Sequence, residues 1–184
     1  MNSILTVSIE KVQGKIYINR DKMIEENHTK VTKALIQKNK TISFMESCTS
    51  GLLASMFTDT EGASAVFKGS LVTYSNEMKI QAGVPEQIIC DYGVYSAECA
   101  RAMAETAQKI YKTDVAVGIT GTTGNIDPNN CDSVTGCAYF CIRIGNENKD
   151  FYIEEDVKNL TRSQIKKLYA DEVYKKLLEN LKNR

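Results

Sequence analysis

The sequence of 184 residues holds a single histidine, no Cys-x-x-Cys pair, no net charge and no long apolar run, and each absence removes a class of function. The lone histidine, His28, lies away from every polar loop considered below, so a Ser-His-Asp triad is not expected to activate a nucleophile. The cysteines Cys48, Cys90, Cys99, Cys131, Cys137 and Cys141 lack zinc-site spacing. They are expected to be small buried thiols, with no metal and no disulfide framework. Lys plus Arg and Asp plus Glu both number 23, so there is no global field to attract nucleic acid. The N-terminal MNSILTVSIEKVQG alternates in polarity, so no signal peptide or transmembrane helix is expected. A cytoplasmic protein with no membrane partner follows as the expectation. No Gly-x-x-x-x-Gly-Lys-Ser/Thr string occurs, which excludes a P-loop.

The interior also lacks a Pro/Gly/Ser-rich linker, so residues 1–184 are read as one domain. Alternation over Leu5–Glu10 and Lys15–Asn19 around Val12-Gln13-Gly14 predicts a β-hairpin. A helical pattern over Ile24–Asn39 and a short strand over Thr41–Met45 follow. The polar turn Glu46–Gly51 then opens into a helix from Leu52 to Phe57. Strand character returns at Ser70–Tyr74 and Asp114–Ile119, with helices predicted over Asn76–Ala82 and Ser96–Ala107. Cys137–Ile144 and Phe151–Glu155 read as an antiparallel pair around a turn at Gly145–Asn148. Ser163–Leu181 places its apolar residues largely on one face, as a closing amphipathic helix would. The fold class is therefore α/β, a three-layer α/β/α sandwich with a mixed sheet, plus an N-terminal β-hairpin.

In such sheets ligands bind beyond the carboxyl ends of strands, where loops meet helix N-termini. Three loops have that character: Glu46–Gly51, Tyr74–Lys79 and Thr120–Asn125. Ser47 stands just before a helix, where N–H donors and the helix dipole would favour a developing oxyanion. With no histidine at hand, the available base is a lysine whose ammonium pKa is lowered, and Tyr74 and Lys79 supply a hydroxyl and an amine in Val72-Thr73-Tyr74-Ser75-Asn76-Glu77-Met78-Lys79. Each residue also has a plainer role. Ser47 fits a helix cap, Lys79 a solvated surface charge and Tyr74 a strand aromatic at the rim. Glu46 fits orientation of the lysine, a hydrogen bond to a ribose, or capping of the nearby helix.

Together these stretches resemble the CinA carboxy-terminal domain family. That pattern reads Glu-Ser-Cys-Thr-Gly-Gly, Val-Thr-Tyr-Ser-Asn-Glu-x-Lys and Ile-Thr-Gly-x-x-Gly-Pro. Here it stands as Glu46-Ser47-Cys48-Thr49-Ser50-Gly51, residues Val72 to Lys79, and Ile119-Thr120-Gly121-Thr122-Thr123-Gly124-Asn125. Residues 27–184 form the family-like core, with 1–25 as a hairpin extension. The resemblance implies metal-free and cofactor-free hydrolysis of the carboxamide of nicotinamide mononucleotide, with Ser47, Tyr74 and Lys79 as catalytic residues. For binding of this nucleotide substrate it points to Glu46, Thr49, Ser50, Gly51, Thr120, Gly121, Thr122, Thr123 and Gly124. Turn formation is the plainer role of the glycines and hydroxyls. Arg162 falls where the family has an arginine and would pair with a phosphate or, alternatively, with a surface carboxylate. A homo-oligomer is expected for a small α/β enzyme of this kind.

Three departures from the pattern fall on ligand-facing loops: Ser50 for a glycine, Asn125-Ile126-Asp127 for a Pro/Gly-rich run, and Val134-Thr135-Gly136-Cys137 for Pro-Val-Gly-Thr. The nucleophile set is intact. The alternative is a nucleotide-binding or competence-related interaction module that keeps the fold without turnover.

Overall fold

The computed structural model describes residues 9–12, 15–18, 26–128, 130 and 133–182. Its strands in chain order are β1 (Ile9–Val12), β2 (Lys15–Ile18), β3 (Ile42–Glu46), β4 (Phe67–Val72), β5 (Val115–Gly121), β6 (Cys137–Ile144) and β7 (Glu147–Glu154). The helices are α1 (Asn27–Lys38), α2 (Leu52–Thr58), α3 (Asn76–Ala82), α4 (Glu86–Tyr92), α5 (Ala97–Tyr111) and α6 (Arg162–Lys182). A five-stranded sheet runs in the order β4-β3-β5-β6-β7. Its first three strands are parallel, whereas β6 and β7 are antiparallel additions, which makes the sheet mixed as expected.

Strand alternation splits the core between two helical layers. Ile42, Phe44, Val117 and Ile119 point toward α1, α2 and α6, where they meet Leu35, Leu53, Phe57, Tyr169 and Val173. Met45 and Ala116 point the other way, against Cys99, Met103 and Ala107 of α5. Every residue of β3 and β5 is buried, because both faces of these inner strands are covered. Helix α5 sits unusually close to the sheet. A Cβ on Gly118 would come within 2.2 Å of the Ala100 carbonyl oxygen and 2.5 Å of the Ala104 nitrogen, so only glycine allows that approach.

The hairpin pairs Ile9–Val12 with Lys15–Ile18 in antiparallel register; the predicted residues 5–8, 13, 14 and 19 lie outside the described residues. Helix α4 was not anticipated, because it is seven residues long and only Ile88 and Ile89 pack partly against the core, too short a run to show a helical period. Strand β7 begins at Glu147 instead of Phe151, which leaves Gly145-Asn146 as the turn between Ile144 and its partner Glu147. The early part of β7 is polar because it lies on the open edge of the sheet. Two further boundaries shift at the site. Strand β4 ends at Val72, releasing Thr73 and Tyr74 from the ladder, and β5 runs through Thr120 and Gly121, which were expected in the loop. Among the described residues, Cys48, Cys99, Cys137 and Cys141 are buried and Cys90 is exposed, none of them in a disulfide; Cys131 lies outside the described residues. No helix among these residues is long and apolar enough to cross a membrane.

Candidate active site

The parallel register sets Glu46 beside Val72 on one side and Ile119 on the other, so the chain leaves all three strands at the same sheet edge. Ser47 is the first residue past β3. Its N–H donates to the Ile119 carbonyl at 3.1 Å, which fixes the start of the turn and removes that N–H as an oxyanion donor. The hydroxyl meets a lysine. Lys79 Nζ lies 3.2 Å from Ser47 Oγ and donates to the Thr73 carbonyl at 3.0 Å. Helix α3 delivers that amine inward, since its cap Ser75 accepts from the Met78 N–H at 3.2 Å and starts the helix one turn before Lys79. Lys79 is only 1% exposed and Ser47 5%, so the pair meets in a largely dry environment.

Burial pushes the Lys79 ammonium pKa below its ordinary value; Cys99, Cys48, Asp127 and Glu77 act in the opposite direction. The influence of Cys48 is absent near neutral pH, because burial raises its own thiol pKa to about 12 and keeps it uncharged. A lowered lysine pKa places more of the neutral amine opposite the serine hydroxyl, and the same 3.2 Å contact then serves a proton moving from Oγ to Nζ.

Glu46 settles into the last of its three expected roles. Its carboxylate, fully buried, accepts from Thr49 Oγ1 at 2.8 Å and from the Gly51, Leu53 and Ala54 N–H groups and Ser70 Oγ, each at 3.0 Å. It therefore seals the N-terminus of α2 and has no substrate role in this arrangement. The expectation that this helix end offers free donors in front of Ser47 is corrected by the same contacts. Thr49, Ser50 and Gly51 are spent on the turn and do not line the cavity. Ser50 has φ 51°, the left-handed region where the family pattern places glycine, and its hydroxyl donates to the Ser47 carbonyl at 3.3 Å. Ser50→Gly is accordingly expected to raise stability by about 0.5–1 kcal/mol in denaturant unfolding, because a side chain in that region is strained.

A cavity of about 490 Å³, within the usual range for a small-ligand site, opens above the dyad. Tyr74, Thr122, Thr123, Asp127 and Arg162 line it alongside Ser47 and Lys79. Tyr74 is 59% exposed, and its hydroxyl accepts from Arg162 at 2.9 Å instead of touching Ser47 or Lys79. The aligning role expected of Tyr74 falls instead to the Thr73 carbonyl. Arg162, at the first position of α6, has no carboxylate partner among the described residues and borders a second cavity of about 380 Å³. Gly124 and Lys158 line this second space.

Thr120 lies within β5 and donates to the Val94 carbonyl at 3.0 Å, which makes it a tether and not a ligand contact. The Thr122 N–H is taken by the Cys137 carbonyl and its hydroxyl by the Val134 carbonyl, so the expected backbone cradle is closed at that residue. The Thr123 hydroxyl is buried without a hydrogen-bond partner among the described residues. Two tyrosines of α6 support the walls from behind. Tyr169 donates to the Thr122 carbonyl at 2.8 Å and Tyr174 to the Leu53 carbonyl at 2.5 Å.

Residues not anticipated from the sequence hold the outer loop. Tyr95 OH and Asn130 Nδ2 each donate to Asp127 Oδ2 at 2.6 Å, and Asn76 Nδ2 donates to Asn130 Oδ1 at 3.0 Å. Tyr95 and Asp127 are 32 residues apart, and no periodicity announces such a pairing.

The chain is thus a three-layer α/β protein with a buried serine and lysine paired at the carboxyl edge of its parallel strands. Residues 24–181 match the family model of the CinA C-terminal domain, and the chain belongs to that family. A CinA-like protein from Fervidobacterium nodosum is 41% identical over 146 residues, covering 79% of this chain and 34% of its own length. Another from Thermosipho melanesiensis is 36% identical over 159 residues, covering 84% and 37% respectively. This chain therefore spans about a third of the length of the curated relatives it matches. Among solved structures, a competence-damaged protein (CinA) superfamily protein from Klebsiella pneumoniae superposes with a TM-score of 0.79 at 20% identity, covering 87% of this chain and 100% of that one. One from Escherichia coli gives 0.75 at 23% identity, covering 89% and 98%. At these identities the likeness establishes the fold.

Proposed function

We propose that this chain hydrolyses the carboxamide of nicotinamide mononucleotide to nicotinate mononucleotide and ammonia, with Ser47 as nucleophile and Lys79 as the proton carrier. The observation that carries the reading is the buried approach of Lys79 Nζ to Ser47 Oγ at 3.2 Å beneath an open cavity. A lysine whose pKa is lowered by burial, beside a serine hydroxyl in a cleft, has the features of a functional site. The choice of substrate comes from the resemblance of the motifs around both residues.

In the first half-reaction the neutral amine of Lys79 takes the Ser47 proton as Oγ attacks the amide carbon. The tetrahedral oxyanion then collapses, the C–N bond breaks, and the Lys79 ammonium protonates the departing nitrogen to give ammonia. An ester on Ser47 remains. Water attacks that ester as Lys79 accepts its proton, and the proton returns to Ser47 Oγ when the acid leaves. The Ser47 N–H is already engaged with the Ile119 carbonyl, so the oxyanion must be met by another donor of the cavity lining. Arg162, with Tyr74 holding it at the mouth, is assigned to the phosphate, with Lys158 on the far side of the second cavity.

The test is incubation of the purified chain with nicotinamide mononucleotide, with ammonia and nicotinate mononucleotide measured together. The expected result is equimolar release of both. Saturable binding of the nucleotide with no ammonia would replace this reading with that of a binding module.

A further inference from the structure

Among the described residues the cavity wall carries two carboxylates, Glu77 and Asp127, and they differ in kind. Glu77 is exposed on α3, where solvent screens it, whereas Asp127 is partly buried and held by Tyr95 and by two side chains of its own loop. Its Oδ2 accepts from Tyr95 OH and Asn130 Nδ2, both at 2.6 Å, and its N–H donates to Ser133 Oγ at 2.9 Å. Asn76 anchors Asn130 in turn, at 3.0 Å, from the first position of the helix that bears Lys79. A negative charge is thus fixed in the same cavity as the reacting pair, close enough to influence the Lys79 amine.

A fixed anion at that place is unhelpful for a neutral amide. It favours the protonated lysine, and the base must be neutral to act. The arrangement makes sense if the bound substrate carries its own positive charge next to the amide. The ring of a nicotinamide nucleotide does so, since its nitrogen is quaternary and lies two bonds from the carbon that bears the carboxamide. Such a ring seated with its amide at Ser47 would lie within a ring's width of the dyad. Arg162 at the other side of the cavity would repel it unless an anion offset that charge. Val94 and Tyr95 supply an apolar and aromatic wall for a flat cation on the same side as Asp127.

We propose that Asp127 is a specificity-determining residue, pairing with the positive charge of a quaternised ring so that the site prefers it over the same nucleotide with an uncharged ring. This rests on the reading of the cavity as a nicotinamide nucleotide site, and it concerns a residue that replaces part of a Pro/Gly-rich run in the family pattern.

The experiment compares nicotinamide mononucleotide with its dihydro form, which has the same amide, ribose and phosphate but a neutral ring. Binding is measured by calorimetry on Ser47→Ala protein, which cannot form the ester, with and without Asp127→Asn. Asparagine keeps an acceptor for Tyr95 and Asn130, so the loop stays tethered while the charge is lost. The cationic form is expected to bind at least about tenfold more tightly than the neutral form, and Asp127→Asn to abolish most of that preference with little change for the neutral form. Equal binding of the two forms before substitution overturns the proposal. An equal loss for both forms also overturns it, because that is the signature of a loop tether alone. The wild-type ammonia assay separates the two claims. Turnover without a charge preference leaves the reaction standing and removes Asp127's role; a charge preference without turnover does the reverse; binding of neither form removes both.

Discussion

Ammonia release is expected to fall at least about a hundredfold in Lys79→Met, and by a similar factor in Ser47→Ala, with the protein still folded in each case. The two losses should not add. A nucleophile and its base act as one unit, so the Ser47→Ala, Lys79→Met double variant is expected to be no slower than either single variant within a small factor. A product of the two separate losses would mean that each residue works alone. Methionine fills the volume of the lysine stem and lacks the amine, which separates chemistry from packing.

The pH profile carries the same claim. Burial lowers the Lys79 pKa, and the neutral amine is the active form, so the rate should climb as pH rises through that lowered value and level off above it. Stability follows the same direction. Below the folded-state pKa both folded and unfolded chains hold the proton, and the full cost of a buried ammonium is present. Between that value and the ordinary value of 10.5 the unfolded chain binds more protons, so Lys79's contribution to stability improves with rising pH. Lys79→Met should remove this dependence and leave the protein no less stable than the parent at neutral pH. A Lys79→Met protein with a markedly lower Tm and a parent-like rate would contradict both halves of the argument.

The second large effect concerns stability. Glu46→Gln is expected to cost about 3 kcal/mol, or a Tm lowered by roughly 6–12 °C. The carboxylate accepts from five donors on its two oxygens, and an amide presents its NH₂ toward donors in at least one of those positions. Two N–H groups would then face each other in a site without solvent. Activity should fall as well, since the turn that Glu46 closes also carries Ser47. Thermal and denaturant unfolding measure the first effect and the ammonia assay the second. A Tm within about 2 °C of the parent would show that water reaches this carboxylate and that the count of buried donors is misleading.

The layers of the fold were readable because the inner strands are apolar on both faces and α5 and α6 have long apolar stripes. Helix α4 was not, since two adjacent isoleucines in seven residues show no helical period. At the site, the local motif placed Ser47 in a turn after one strand and Lys79 on a short helix after another, and the parallel register brings them to one edge. What sequence could not supply was the allocation of hydrogen bonds. Glu46 fits three roles on paper, and only the three-dimensional turn shows that α2 consumes both oxygens. Tyr74 sits in the motif with Lys79, yet the end of β4 at Val72 swings it to the rim and Arg162, 88 residues away, takes its hydroxyl. Asp127 was visible only as a departure from a pattern, because its partner Tyr95 and the Asn76 that anchors Asn130 come from other stretches of the chain.

Helix α6 imposes an order of events. Its residues 162–182 are synthesised after Ser47, Lys79 and the outer loop, yet Tyr169 ties the Thr122 carbonyl of the cavity wall, Tyr174 ties the Leu53 carbonyl of α2, and Arg162 lines the cavity. A nascent chain that has not yet reached this helix already contains Ser47 and Lys79, but it lacks both the tyrosine that ties Thr122 and the arginine at the cavity. The complete cavity therefore exists only once the last helix is in place.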